Sequence, residues 1–235
     1  MSGPKPLGGV LDVSPYVGGI HSLPGIEKPV VLSANESPLG PSEHAVRAYV
    51  EAAGDLHRYP EGGSTALRHA IAERFGCDAD RIVCGTGSDE LLSLLIKAYS
   101  GPGCEVVYSR HGFLMYSIAA RVVGATPVSV PEANYTFDVD AILAAVTDRT
   151  TMVFIANPNN PTGSYISADE LRRLQAGLPN HVLLVIDAAY AEYVSRNDYT
   201  AGADLVEEFD NVVMTRTFSK IFGLAGLRVG WAYAA

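Results

Sequence analysis

Short apolar runs alternate with helix-like segments along most of this chain, and this alternation constrains the fold more than any other feature. Seven runs have the length of a strand: Arg81–Gly85, Glu105–Ser109, Thr126–Val130, Thr151–Ala156, His181–Asp187, Asn211–Thr215 and Arg228–Ala234. Most of these runs are separated by segments in which apolar residues recur at helical spacing: 88–100, 112–123, 138–147, 167–176 and 202–208. Strands that alternate with helices predict an α/β fold, in which a mostly parallel sheet carries helices on both faces.

The residues before the first strand show a different pattern. The first 30 residues are rich in Gly and Pro and predict an extended arm. A helix is expected near Ser42–Ala53, and a second over 64–75, where Ser64 or Thr65 can cap its first turn. No internal repeat is present in the sequence.

Charge and cysteine content exclude several classes of protein. Lys and Arg number 17 against 26 Asp and Glu, which gives a net charge of −9, and no basic cluster suggests a nucleic-acid partner. No apolar run approaches the roughly 18 residues of a membrane helix, and the N-terminus lacks a signal-peptide core. The three cysteines form no C-x-x-C pair, so neither a metal site nor a disulfide is indicated. We therefore expect a soluble cytoplasmic protein that binds small molecules.

Polar residues follow several of the predicted strands, where parallel sheets place their ligands. The segment 85–90, GTGSDE, follows the first strand and opens a helix, so its glycines and free amides suit an anion. The alternative is an ordinary helix start with Ser88 as the cap. The turn NPNNPTG at 157–163 offers Asn amides to a ligand, although Asn and Pro are also common in plain turns.

Ionisable side chains lie at or after the ends of two later predicted strands, His181–Asp187 and Asn211–Thr215. Asp187 follows five apolar residues, and a buried carboxylate there needs a partner such as a protonated ring nitrogen, unless it only caps the next turn. Lys220 lies among Phe218, Ile221 and Phe222, and desolvation would favour its neutral, nucleophilic amine for Schiff-base chemistry. The alternative is a lysine that reaches out to water. Arg228 is a natural partner for an anion.

These groups together suit one cofactor. An anion site, an amide, a carboxylate, the phenol of Tyr190 just after Asp187, a lysine and an arginine match the phosphate, the pyridinium nitrogen, the phenolic oxygen and the aldehyde of pyridoxal 5′-phosphate (PLP).

Seven motifs give the chain a family resemblance. They are SPYVGG, LSANESPLGPS, HRYPEGGSTALR, GTGSDELL, NPNNPTG, VIDAAYAEY and RTFSKIFGLAGLRVGW. From about Ser14 to the last residue, the chain resembles the fold-type I PLP-dependent aminotransferases, and NESPLGPS points to their histidinol-phosphate branch. The resemblance implies an N-terminal arm over 1–34 and, over 35–235, the large domain of the aspartate aminotransferase-like fold with a seven-stranded sheet. It also implies that the family's C-terminal small domain, which supplies arginines for the substrate's carboxylate or phosphate, is absent.

The resemblance assigns a role to each candidate residue. Lys220 would form the Schiff base and then move the proton, and Asp187 would keep the pyridine nitrogen protonated. Asn160 and Tyr190 would bind the ring oxygen, and Phe113 would stack on the ring. The other assigned residues are Ser88, Asp89, Thr217, Ser219 and Arg228 around the cofactor phosphate, Tyr59 toward the phosphate in a neighbouring subunit of a homodimer, and Tyr16 and Asn35 on the substrate side.

The implied reaction is a ping-pong amino transfer. In the histidinol-phosphate branch, L-histidinol phosphate and 2-oxoglutarate give imidazole acetol phosphate and L-glutamate, in histidine biosynthesis. Three alternatives stay open: a threonine-phosphate decarboxylase, an aromatic aminotransferase, or a non-catalytic PLP-binding fragment. A dinucleotide-binding module is disfavoured because no G-x-G-x-x-G follows the first strand.

Overall fold

A computed structural model describes residues 8–14, 19–20 and 22–235. Its helices are α1 (Glu43–Ala52), α2 (Thr65–Phe75), α3 (Ser88–Tyr99), α4 (Leu114–Val122), α5 (Val139–Ala145), α6 (Ala168–Gly177) and α7 (Ala203–Glu208). Its strands are β1 (Ile82–Gly85), β2 (Glu105–Ser109), β3 (Thr126–Val130), β4 (Thr150–Ala156), β5 (Leu183–Asp187), β6 (Val212–Thr217) and β7 (Gly230–Tyr233).

The seven strands form one sheet in the order β1-β7-β6-β5-β4-β2-β3. The pairs within β3-β2-β4-β5-β6 are all parallel, whereas β7 runs antiparallel to both β6 and β1. The predicted mostly parallel, seven-stranded sheet is therefore confirmed.

Helices cover both faces of this sheet, because successive strand residues point to opposite sides. On one face α3 and α4 pack on residues such as Met152, Phe154 and Val185. On the other face α2, α5, α6 and α7 pack on the strand residues that alternate with these in sequence, such as Val153 and Ile186. All five residues of β5 are buried, which explains why its sequence is a continuous apolar run that ends in Asp187.

Two predicted helix caps are wrong. Gly87, with φ +82°, occupies the N-cap position of α3, and Ser88 is the first helical residue, with no capping hydrogen bond from its side chain. Ser64 lies at the N-cap position of α2 but also makes no side-chain cap. The carboxylate of Glu61 instead accepts from the amides of Gly63 (2.6 Å) and Thr65 (2.8 Å), because its longer side chain reaches back over the turn.

The strand and helix boundaries differ little from those predicted. β7 begins at Gly230 and not at Arg228, because Arg228 has the left-handed φ of +52°. α4 begins at Leu114, since Gly112 closes a tight turn in which its amide donates to the Ser109 carbonyl, and Phe113 has an extended backbone at the N-cap position. Within the described ranges, no helix is long and apolar enough to cross a membrane.

Candidate active site

A cavity of about 570 Å³ lies at the carboxyl edge of the parallel strands. Its walls come from the segments that follow β2, β4, β5 and β6, from the first turn of α3, and from the strand-free segment before α1. Most of the predicted site residues line it: Asn35, Ser88, Asp89, Phe113, Asn160, Asp187, Tyr190, Thr217, Ser219, Lys220 and Arg228. Parallel pairing brings these distant segments together, since it aligns the ends of all the strands.

Asp187 is the buried carboxylate at the centre of this wall. Its residue is 5% exposed, and Oδ2 accepts a hydrogen bond of 2.8 Å from the hydroxyl of Tyr116. Oδ1 is buried and has no hydrogen-bond partner within the described part of the chain. Burial raises the pKa of Asp187 to about 6, even though the hydrogen bond from Tyr116, the backbone amide of Ala189 and the charge of Lys220 lower it. A buried oxygen of this kind requires a donor, and a cationic donor above all.

Tyr116 is a functional residue that the sequence analysis missed. Its side chain, on α4, is fully buried and stacks on Phe154 with the ring centroids 4.5 Å apart. It also meets Phe113 edge-on at 5.8 Å. Burial and the neighbouring Asp187 raise the pKa of Tyr116 well above its ordinary value, so its hydroxyl keeps its proton as a donor. The spacing of Phe113 and Tyr116, three residues apart at a helix start, is the signal that could have indicated it.

Lys220 lies in the turn after β6 and lines the cavity. Its Nζ donates to the Ala34 carbonyl at 3.3 Å and lies 5.4 Å from the ring centroid of Tyr190. Phe218 and Phe222 pack together at 5.2 Å on the same turn. The amine is therefore held at the cavity and not extended into solvent, which decides against the alternative reading from the sequence.

The segment before α1 closes the cavity over Tyr190. The Asn35 amide donates to the Tyr190 hydroxyl at 3.0 Å, and burial raises the pKa of that phenol. The turn that carries Lys220 also packs closely on the segment before α1, at Gly223 and Gly40. A Cβ on Gly223 would lie 2.3 Å from the Gly40 carbonyl oxygen, so only a glycine allows this contact. The lysine turn and the N-terminal segment thus fix each other.

A cluster of donors forms one end of the cavity. Nη1 of Arg228 donates to Ser219 Oγ at 3.0 Å, and the Ser219 amide donates to Thr217 Oγ1 at 3.1 Å. The guanidinium packs on Gly87 so closely that a Cβ there would lie 2.6 Å from Nη2. Hydroxyls, a guanidinium and the N-terminus of α3 together suit a phosphate. We refer to Ser88, Thr217, Ser219 and Arg228 as the anion cluster.

Asp89 stands next to this cluster, on the first turn of α3. Burial raises its pKa, while the charges of Arg228 and Lys220 lower it. The carboxylate therefore offsets part of the positive charge of the two basic groups.

The turn after β4 contains three asparagines, of which one lines the cavity and two form hydrogen bonds that stabilise the local structure. Asn157 is buried and exchanges hydrogen bonds with the backbone of Ile166. Asn159 donates to the His111 carbonyl at 3.0 Å and to Thr162 Oγ1 at 2.8 Å. Asn160 alone of the three lines the cavity, as predicted. The peptide bonds Asn157–Pro158 and Asn160–Pro161 are both cis.

Two predicted site residues are not part of this cavity as described. Tyr59 is fully exposed and does not line it. Its role across a subunit interface stays a prediction. Tyr16 lies outside the described residues. Conversely, the cavity wall includes Ser33, Arg110 and His111, which the sequence analysis did not select.

Comparisons with known proteins agree with this architecture. The family model for aminotransferase class I and II matches residues 27–235. Histidinol-phosphate aminotransferase of Rhodospirillum centenum is 64% identical over 233 residues, and the enzyme of that name from Paramagnetospirillum magneticum is 59% identical. Each alignment covers 99% of this chain and 64% of the relative, so the chain spans less than two thirds of these relatives' length.

Solved structures share the fold. Histidinol-phosphate aminotransferase of Sinorhizobium meliloti, solved in complex with pyridoxal-5′-phosphate, aligns with a TM-score of 0.82 and 34% identity over 86% of this chain and 55% of that one. Aspartate aminotransferase of Rhizobium meliloti aligns with a TM-score of 0.77 and 25% identity over 88% of this chain and 56% of that one.

Proposed function

The chain belongs to the aminotransferase class I and II family, and from this premise we propose that it serves a PLP-dependent amino transfer between L-histidinol phosphate and 2-oxoglutarate. The observation that carries the proposal is the buried Oδ1 of Asp187, which has no hydrogen-bond partner among the described residues and lies in the same cavity as the amine of Lys220. The choice of amino donor rests on the names of the relatives at 56–64% identity. Histidine biosynthesis is the pathway this donor implies.

The residues present fit PLP. Oδ1 of Asp187 lacks a donor in the part of the chain that the structure describes, and a protonated ring nitrogen would supply one. The anion cluster offers hydroxyls and a guanidinium to a phosphate, and the absent side chain of Gly87 leaves room for Arg228 beside them. When bound, PLP supplies an aldehyde that condenses with amines and a ring that withdraws electrons from the substrate carbon.

Asp187 holds a proton on the ring nitrogen. A pKa of about 6 leaves most of this carboxylate ionised at neutral pH, so a cation beside Oδ1 relieves the burial of its charge. The bond from Tyr116 to Oδ2 fixes the orientation of the carboxylate and leaves Oδ1 for the ring. Asp187 therefore keeps the ring nitrogen protonated.

If PLP is bound, Nζ of Lys220 is the group that would hold its aldehyde, and the same amine, when a substrate amino group has taken its place, would move a proton at the substrate carbon. The contacts of Nζ with the Ala34 carbonyl and the face of Tyr190 keep the amine inside the cavity in both roles. Tyr190 and Asn160 orient the ring through its phenolic oxygen, and Phe113 covers one face. Asn35, which donates to Tyr190, stands on the substrate side.

Three further features belong to this proposal. Tyr59 contributes to the phosphate site of a second copy, for which its full exposure leaves it available. Tyr16 lines the substrate side. The protein is a homodimer of the cytoplasm, as the family resemblance implies.

Reduction with borohydride tests the site directly. The chain mixed with PLP and then reduced is expected to carry the cofactor covalently at Lys220, as measured by mass spectrometry of peptides. Lys220→Ala should carry none, whereas Lys97→Ala, which changes an exposed lysine on α3, should label like the wild type. Labelling of Lys220→Ala at the wild-type level would refute the assignment.

Product analysis then separates the alternatives. Formation of L-glutamate from L-histidinol phosphate and 2-oxoglutarate supports the proposed reaction. Conversion of threonine phosphate with release of carbon dioxide, or a preference for aromatic amino acids, would instead indicate the related enzymes. A chain that labels at Lys220 but transfers no amino group from any of these donors is a non-catalytic PLP-binding fragment.

A further inference from the structure

One group of charged residues at the cavity has no role in the chemistry described so far. Arg110 and His111 follow β2 and line the cavity, and Glu132 lies beside them after β3. The strand order places β2 and β6 on opposite sides of β5, so these residues stand across Asp187 from the anion cluster. We refer to Arg110 and His111 as the rim pair, because both line the cavity and are exposed to solvent.

Glu132 holds the loop that carries the rim pair. Its side chain is 3% exposed, and its carboxylate accepts three hydrogen bonds: from Ser109 Oγ (2.8 Å), from the His111 amide (2.5 Å) and from His111 Nδ1 (2.9 Å). Burial by itself would raise the pKa of Glu132, but these bonds outweigh it and lower that pKa. The carboxylate is therefore ionised at neutral pH and anchors the His111 ring.

The orientation of His111 follows from this anchor. Since Nδ1 faces Glu132, only Nε2 is available to a ligand in the cavity. The ring also contacts Tyr135 at a centroid distance of 5.4 Å, and the His111 carbonyl accepts from Asn159. With a proton on each nitrogen, the ring donates to Glu132 through Nδ1 and to an anion through Nε2.

Arg110 adds a fixed positive charge next to this ring. Its amide donates to the Val130 carbonyl at 2.7 Å, which ties the backbone to β3. Its guanidinium forms no ion pair within the described residues, although most other arginines there do. A planar guanidinium at a cavity wall matches a phosphate or a carboxylate through two parallel hydrogen bonds.

We propose that the rim pair, with His111 positioned by Glu132, binds the anionic group of the amino substrate. The inference rests on the proposed function and names the part of the substrate that this chain itself recognises. The anion cluster is taken by the cofactor phosphate, so a substrate that carries its own phosphate needs other donors. The rim pair would supply donors from this chain, in addition to the small-domain arginines that the family resemblance implies. Arg110 and His111 are binding residues in this assignment, and Glu132 is a positioning residue.

Paired amino donors test the assignment. The PLP-loaded chain is titrated with L-histidinol phosphate and, separately, with L-histidinol, which lacks the phosphate, while the visible absorption of the bound cofactor is followed. Arg110→Gln and His111→Gln are each expected to weaken the response to L-histidinol phosphate about tenfold or more, the effect of losing a hydrogen bond to a charged group. The response to L-histidinol should stay within about twofold.

A matched pair of carboxylate variants separates positioning from general stability. Glu132→Gln should weaken the response to the phosphorylated donor only. Glu105→Gln changes a buried carboxylate at the opposite end of β2, where it is held by Thr147 and Arg149, and should alter neither response. If Glu132→Gln and Glu105→Gln behave alike, Glu132 is only a structural residue and this part of the proposal fails.

Phosphate binding gives a readout that needs no turnover. Calorimetric titration of the PLP-loaded chain with inorganic phosphate should show a site that Arg110→Gln removes. The assignment to the rim pair is overturned if the variants weaken the responses to both amino donors equally, or if they weaken neither response. A wild-type chain that binds phosphate at the rim pair but responds to no amino donor would refute the proposed reaction and leave the anion site standing.

Discussion

The hydroxyl of Tyr116 donates a hydrogen bond of 2.8 Å to Oδ2 of Asp187, across 71 residues of sequence. Both side chains are buried, Tyr116 at 1% and Asp187 at 5% exposure. The bond satisfies one carboxylate oxygen, and the other has no hydrogen-bond partner among the residues that the structure describes. A buried carboxylate with one oxygen left in this state is the feature that the proposed cationic ring nitrogen would complete.

The charge of Asp187 is expected to control the rate. Asp187→Asn keeps the shape and the bond from Tyr116 but removes the anion that stabilises the ring proton. The turnover number should fall about 100-fold or more, as when a preorganised electrostatic contact is lost, while part of the PLP binding persists through the anion cluster. Steady-state kinetics and equilibrium dialysis with PLP measure the two effects. Turnover at the wild-type rate would show that the ring nitrogen needs no partner.

The same carboxylate predicts a pH dependence of stability in the cofactor-free chain. The pKa of Asp187 is raised from 3.8 to about 6 by burial, so the folded chain binds its proton more tightly than the unfolded chain does. Its contribution is fully present below about pH 4 and is lost as pH rises through about 6, which amounts to about 3 kcal/mol.

Urea unfolding at several pH values measures this contribution as a difference between two chains. Other carboxylates titrate in the same range in both, so the comparison with Asp187→Asn isolates the single group. Relative to that variant, the wild type should lose stability between pH 4 and pH 6. Parallel stability curves for the two chains would contradict the assigned pKa shift.

Removal of the Tyr116 hydroxyl should affect both stability and activity. Tyr116→Phe keeps the stacking on Phe154 but removes the one side-chain donor that Asp187 has among the described residues, so we expect a loss of about 1–3 kcal/mol in the free energy of unfolding. Turnover should fall because the carboxylate is no longer oriented. Tyr108→Phe is the control, since this nearby tyrosine contacts Tyr116 only through its ring. Equal effects of the two substitutions would argue against a specific role for the bond.

Gly87 should be required for the anion cluster and not only for the turn. In Gly87→Ala a Cβ would meet the Arg228 guanidinium at 2.6 Å, so PLP binding should weaken together with stability. Gly76→Ala is a matched control, because Gly76 also has a positive φ, of +70°, but has open space around it. It should lose only about 1 kcal/mol through backbone strain. Dialysis with PLP and thermal unfolding check both, and unchanged PLP affinity in Gly87→Ala would count against the arrangement.

The sequence indicated the elements of the fold closely because each has its own local pattern. The run from Leu183 to Ile186 is apolar on both faces of its strand, and Ser42 caps α1 as its position suggests. The errors concern contacts that a local pattern does not contain. Glu61, and not Ser64, satisfies the first amides of α2, because a longer side chain reaches back from outside the helix.

The candidate site shows the same division. Lys220, Asp187 and Asn160 follow strands, and strand ends in a parallel sheet meet at one edge, so their meeting could be expected from the sequence. Tyr116 lies within α4, and Glu132 follows the edge strand β3. A tyrosine and a glutamate are common at such positions, so neither residue type indicates a functional role. Their partners are 71 and 21 residues away in sequence, and only the packing of α4 and β3 brings them together.

The amino-acid sequence by itself determined the alternation of strands and helices, the edge of the sheet where the chemistry lies, and the set of groups that meet there, because these follow from periodicity and from the geometry of parallel strands. The tertiary structure decided the electrostatic state of those groups. Which oxygen of Asp187 lacks a donor among the described residues, and which nitrogen of His111 is held by Glu132, depend on burial and on hydrogen bonds between distant segments. Such quantities exist only once the chain is packed, since water satisfies every one of these groups in the unfolded state.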